Sequence, residues 1–198
     1  MKRIFFISLF SVVLGCAKNF DKSNILEVSP PATAKVEGKH AIFISKKSFN
    51  QINRIKSENC ESWALKLNFD EPFKNSIKNL VSKMFKDFEI VDNKLEKEKI
   101  EENGFVSQIS FYNFNADSQF ETVRNTGIYQ ISLDVKIEVS NSSKSITNDI
   151  SSNMNWEKNI FINCNLQEGA VKSGQKALKN LIERIYETTY ESIFQIKR

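Results

Sequence analysis

The sequence predicts an α+β fold: a mostly antiparallel sheet with two amphipathic helices packed on one face, preceded by a signal peptide and a flexible tether. Three patterns carry this. Tyr129, Ile131, Leu133, Val135, Ile137 and Val139 alternate with Gln130, Ser132, Asp134, Lys136 and Glu138, the period of a strand with one buried and one wet face. Phe73, Ile77, Leu80, Val81, Met84, Phe85 and Phe88 recur at steps of three and four. So do Val171, Gly174, Leu178, Leu181, Ile182, Ile185, Thr189 and Ile193, which gives two helices one apolar stripe each.

The remaining elements fit around these three. Ala41-Ile42-Phe43-Ile44 is a short apolar run that reads as a buried strand. Residues 45–68 are polar and irregular and read as a packed loop or a short helix. Asp70-Glu71-Pro72 opens the first helix, with an acidic residue to cap free amides and a proline tolerated in the first turn. A strand at 88–91 and a charged connection at 94–103, closed by Gly104, lead into the sheet. Residues 105–114 and 146–156 are the partner strands of the alternating run, with 120–123 a further contribution to the sheet. Asn125-Thr126-Gly127 turns the chain, and Asn141-Ser142-Ser143-Lys144 is the loop between the last two strands. Helices on one face of such a sheet bury each other's apolar sides and leave the second face wet.

Composition bounds the function. The chain has 198 residues, 40% hydrophobic and 26% charged, with 6 Gly and 3 Pro, which suits one ordered domain or at most two small ones. Its 28 basic and 24 acidic side chains are nearly balanced, so there is no electrostatic footprint for nucleic acid. With a single histidine, His40, a metal site lacks its commonest ligand. The residues at Asp92, Glu96, Glu98, Glu101 and Glu102 alternate with Lys94, Lys97 and Lys99 and read as a solvated face. No G-x-S-x-G, Walker or dinucleotide glycine pattern occurs, so the chain is expected to be no enzyme and to need no cofactor.

The N-terminus is the most informative segment. In MKRIFFISLFSVVLGC, Lys2 and Arg3 precede an apolar stretch of about eleven residues, which is a secretory signal and too short for a membrane-spanning helix of roughly twenty residues. Val13-Leu14-Gly15-Cys16 resembles the lipobox of bacterial lipoproteins; the alternative is an ordinary signal peptide with a chance cysteine. The resemblance implies removal of residues 1–15, lipidation of Cys16 and a membrane anchor. Ala17, where that family places a retaining aspartate, implies sorting to the cell outer membrane. Removing residues 1–15 takes away Lys2 and Arg3 and no acid, lowering the net charge from +4 to +2. Residues 16–38 then form the lipidated cysteine and tether, with a short strand near 24–28 as the alternative, and 39–198 a single periplasmic domain.

Cys60 and Cys164 remain, an even pair in an exported domain, read as a disulfide or as two buried free thiols. Phe111, Tyr112, Phe114 and Phe120 are aromatic on both parities of one strand, a candidate interface with rings facing outward. Element order and the lipobox together resemble small outer-membrane lipoproteins that assist envelope machines, such as the LPS-assembly lipoprotein or auxiliary lipoproteins of lipid-transporting ABC systems. That resemblance implies a non-enzymatic accessory or scaffold subunit with an envelope protein partner. The other expectations are a carrier holding a lipid or lipopolysaccharide between sheet and helices, and a surface-exposed lipoprotein in host or environmental contact.

Overall fold

The computed structural model describes residues 18–20, 35–45, 50–54, 64–159 and 167–198. Five strands form the main sheet: β2 (Val36–Ile44), β5 (Phe85–Val91), β6 (Ser107–Val123), β7 (Thr126–Ser140) and β8 (Ser145–Asn159), in the order β5-β2-β6-β7-β8. The long β6, β7 and β8 are antiparallel meander partners, and β2 pairs in parallel with both β5 and β6. Helices α1 (Asp70–Met84) and α3 (Gln167–Ile196) fill the inner face, as the periodicity predicts. Between them and the sheet lie Ile42, Phe73, Ile77, Leu80, Ile109, Phe111, Ile131, Leu133, Leu181 and Ile185, each at most 3% exposed. Each such side chain contributes about 1.5–3 kcal/mol through its burial.

Four sequence expectations need correction. Residues 45–68 contain two strands, β3 (Asn50–Arg54) and β4 (Ala64–Asn68), paired antiparallel, where a loop or short helix was expected. The chain expected to be tether supplies a strand, β1 (Lys18–Phe20), parallel to β4, and β2 begins at Val36, inside the same segment. The first helix ends at Met84, because Phe85 is extended and pairs with Val36. Strand pairing there overrides a helical period that continues to Phe88. The charged connection holds a short helix, α2 (Lys97–Glu102), whose Ile100 packs with Ala41 and Phe105 on the other side of the sheet. That face is therefore covered around Ala41 and open along β6, β7 and β8.

Local chemistry sets the turns. Asn68 Oδ1 accepts the Asp70 amide at 3.0 Å, and with Phe69 at the N-cap α1 has no side-chain cap hydrogen bond, so the capping expected of the aspartate is not found. Asp70 pairs with Lys74 one turn on. Asn141 Oδ1 accepts the amides of Ser143 and Lys144 at 2.9 and 2.7 Å, closing the β7–β8 loop where the sequence places it. The β6–β7 turn is made by Arg124 and Asn125, with Arg124 at φ 55.

One end of the sheet gathers both ends of the domain. Lys35 Nζ donates to Ser82 O at the end of α1, and Asn141 Nδ2 donates to Ile196 O at the end of α3. The β6–β7 turn lies at the opposite end.

The register of β6 shifts by one residue between Tyr112 and Asn115, a β-bulge with Asn113 at φ 52. Upstream of it odd-numbered residues face the helices; downstream the even-numbered ones do. Asn113→Val, whose β-branched side chain resists a positive φ, should lower the cooperative thermal transition followed by circular dichroism, whereas deleting Asn113 should retain it, because Phe114 then follows Tyr112 in unbroken alternation and stays on the inner face. Asn113→Gly, which suits positive φ, should keep that transition within about 1 kcal/mol of the parent.

Candidate functional site

The bulge explains the aromatic run. Phe111 and Phe114 are 1% and 4% exposed, both turned into the core, and Phe114 stacks on Phe73 of α1 with centroids 4.1 Å apart. Phe120 is half-buried against the same core. Only Tyr112 stands on the open face, where its hydroxyl donates to Glu138 Oε2 at 3.2 Å. The four residues do not form an outward aromatic patch. Reading parity without the extra residue misassigns them, and the φ-tolerant Asn113 between two aromatics is the only trace of the bulge in the sequence. Cys16, Cys60 and Cys164 lie outside the described residues, which contain no cysteine, so the structure gives no support to a Cys60–Cys164 bond.

The open face of β6, β7 and β8 is the main polar surface that the fold holds rigid. At its proximal end Glu138 accepts from Lys94 Nζ at 2.6 Å, from Tyr112, and from Ser145 Oγ at 3.0 Å. Burial works to raise the Glu138 carboxyl, but Lys94, Ser145 and Tyr112 outweigh it, leaving its pKa below the ordinary glutamate value. Burial, with the Glu138 charge beside it, raises the Tyr112 phenol. Farther along, two cross-strand rows face outward, Asp117–Ser132–Asn153 and Gln119–Gln130–Asn155. They line a shallow groove of about 130 Å³. Ser132 Oγ donates to Asn153 Oδ1 at 2.6 Å.

Charge on this face differs from that of the whole chain. The outward positions include Asp117, Glu121, Asp134, Glu138, Asp149 and Glu157, against Lys136 as the one strand cation, which pairs with Asp149 at 3.5 Å. The chain as a whole carries +4. The basic side chains are therefore concentrated elsewhere, Lys172, Lys176, Lys179 and Arg184 on α3 among them.

His40 is buried in β2. Nε2 must donate to the Glu37 carbonyl at 3.2 Å, so in neutral imidazole Nδ1 accepts from Ser107 Oγ at 2.8 Å. The ring packs on Phe85 with centroids 4.4 Å apart. Burial above all, and Lys197 in smaller part, lower its pKa to about 4 against the raising effects of the Glu37 carbonyl and Asp87. The chain's single imidazole is thereby sealed from solvent. Asp92, Glu96, Glu98, Glu101 and Glu102 are all exposed. Among the described residues no three His, Cys, Asp or Glu side chains are grouped to hold a metal ion, and no helix is long and apolar enough to cross a membrane.

No protein-family model and no curated protein matches the chain. Two solved structures share a similar outline. One is a minor lipoprotein from Acinetobacter baumannii, 6% identical over 80% of this chain and 95% of that one, with a TM-score of 0.48. The other is a neuraminyllactose-binding hemagglutinin homologue from Helicobacter pylori, 12% identical over 84% and 97%, with a TM-score of 0.45. Both are distant, and the reading of the site rests on the residues of this chain.

The buried imidazole predicts a pH dependence. As pH falls below 6.5 the unfolded chain protonates His40, whereas the folded chain does so only near 4. In that window the unfolded state binds more protons, so stability falls with acidification, by about 3 kcal/mol at most. Urea unfolding across the window should show this slope in the parent and its loss in His40→Gln. An equal slope in the variant would assign the effect to other groups.

Proposed function

We propose that the chain is a lipid-anchored envelope lipoprotein whose domain works without catalysis, as an accessory or scaffold subunit docking onto a protein partner. The observation that carries the reading is the agreement of Lys2-Arg3, the short apolar stretch and Val13-Leu14-Gly15-Cys16 in one segment. Acyl chains bury many methylenes at about 0.8 kcal/mol each, so two or three on one cysteine make a durable anchor. Ala17 after the cysteine favours the outer membrane, with the domain in the periplasm.

The sealed His40 supports a non-catalytic role, since the chain has no second imidazole to serve as a general base. A lipid carrier would need space between sheet and helices. Tyr129, Ile131, Leu133, Leu181 and Ile185 fill that layer with at most 1% exposure each, which favours the accessory role.

Labelled palmitate fed to cells should appear on the parent protein and not on Cys16→Ala, which should move to the soluble envelope fraction. Incorporation unchanged in the variant would overturn the anchor. In-cell crosslinking followed by detergent solubilisation should recover a second envelope protein; recovery of the lipoprotein alone would count against docking.

A further inference from the structure

We propose that the groove on the open sheet face binds a neutral saccharide. The six side chains that line it, Asp117, Gln119, Gln130, Ser132, Asn153 and Asn155, form a two-by-three grid on three neighbouring strands. Strand geometry spaces them about 4.8 Å across and about 7 Å along the sheet. Serine is the smallest of the six, and Ser132 at the centre of one row leaves the depression. β7, the middle one of these three strands, is paired on both sides over this stretch, so the grid is held before any ligand arrives.

The donor set defines the ligand class. Four carboxamides each offer a carbonyl acceptor and an amino donor, and the Asp117 carboxylate adds acceptors. Ser132 already occupies Asn153 Oδ1, which turns the Asn153 amino group outward as a donor. Among the described residues, Asp117, Gln119, Gln130 and Asn155 form no side-chain hydrogen bond to the protein. A pyranose ring presents hydroxyls that both donate and accept around its rim, which is the complement of alternating amide donors and acceptors.

Charge decides between neutral and anionic sugars. The nearest outward ladder charges besides Asp117 are Glu121, Asp134 and Glu157, all acidic, and Lys136 stands four residues along β7 from Ser132, about 13 Å away. The acids Asp117, Glu121, Asp134 and Glu157 outnumber the cations near the groove, Lys136 and Arg184, the latter donating to Ser151 O at the edge of β8, so a carboxylate, sulfate or phosphate on the ligand would meet net repulsion.

The test uses the processed, lipidated protein in a zwitterionic detergent without a sugar headgroup, with saturation-transfer NMR as the readout. The probes are lactose, maltotriose and diacetylchitobiose, with sialyllactose as the anionic counterpart of lactose. Saturation transfer to a neutral sugar is expected, with sialyllactose at least about tenfold weaker than lactose or silent. Gln130→Ala and Asn155→Ala should each weaken binding about tenfold, the loss of one or two hydrogen bonds. Ser132→Lys, which fills the groove, should abolish it. All three side chains point away from the core, and unchanged melting will verify the fold. No transfer to any neutral sugar, equal binding of sialyllactose, or full binding in the three variants would overturn the proposal.

Discussion

Everything in this fold depends on keeping one side of β7 dry along its whole length. β7 is paired on both flanks, to β6 and to β8, so its alternation divides inside from outside for three strands together. β8 follows the division without interruption. β6 follows it only because the extra residue at Asn113 resets its parity. Were Asn113 extended in an unbroken alternation instead of bulged, Asn115 and Asp117 would face the helices and Phe114 and Ala116 the solvent. Burying an unpaired carboxylate and amide would cost several kcal/mol, comparable with the whole stability of a domain. A local backbone event thus protects a global partition.

The sequence announces elements that obey a single period and hides those set by partners. The alternation of 129–139, the stripe of 167–193 and the Asn141 loop can be read because each is decided by neighbouring residues. Phe85 belongs equally well to a helix stripe and to a strand, and only its pairing with Val36 decides. α2 is too short for a period to show, and it exists because Ile100 has Ala41 and Phe105 to cover. Parallel pairing of β2 with β5 and β6 has no local signature at all. On the candidate site, the polar parity of 130–138 was visible. Its union with 117–119 and 153–155 into one groove required both the bulge and the register.

The two faces of the sheet serve different ends. Against the helices, hydrogen-bonding groups are few: Ser107 and the Glu37 carbonyl hold His40, while the buried Ser76 and Thr189 hydroxyls find no partner among the described residues. On the open face, carboxamides and carboxylates stand at regular intervals with only one strand cation among them. Such a face resists adding strands or packing apolar surface, because its polar groups would have to be desolvated. It can still engage ligands that bring their own donors and acceptors.

Lys35 and the C-terminal turn of α3 share one end of the sheet, and the Arg124–Asn125 hairpin tip occupies the other. For reporter engineering this is a polarity rule. A label fused after Arg198 sits at the Lys35 end of the sheet, whereas one inserted at the hairpin tip projects roughly 50 Å away, the length of a 15-residue strand. Paired fluorophores at the two places would therefore read the tilt of the domain against its support, with the β7 ladder as a rigid ruler.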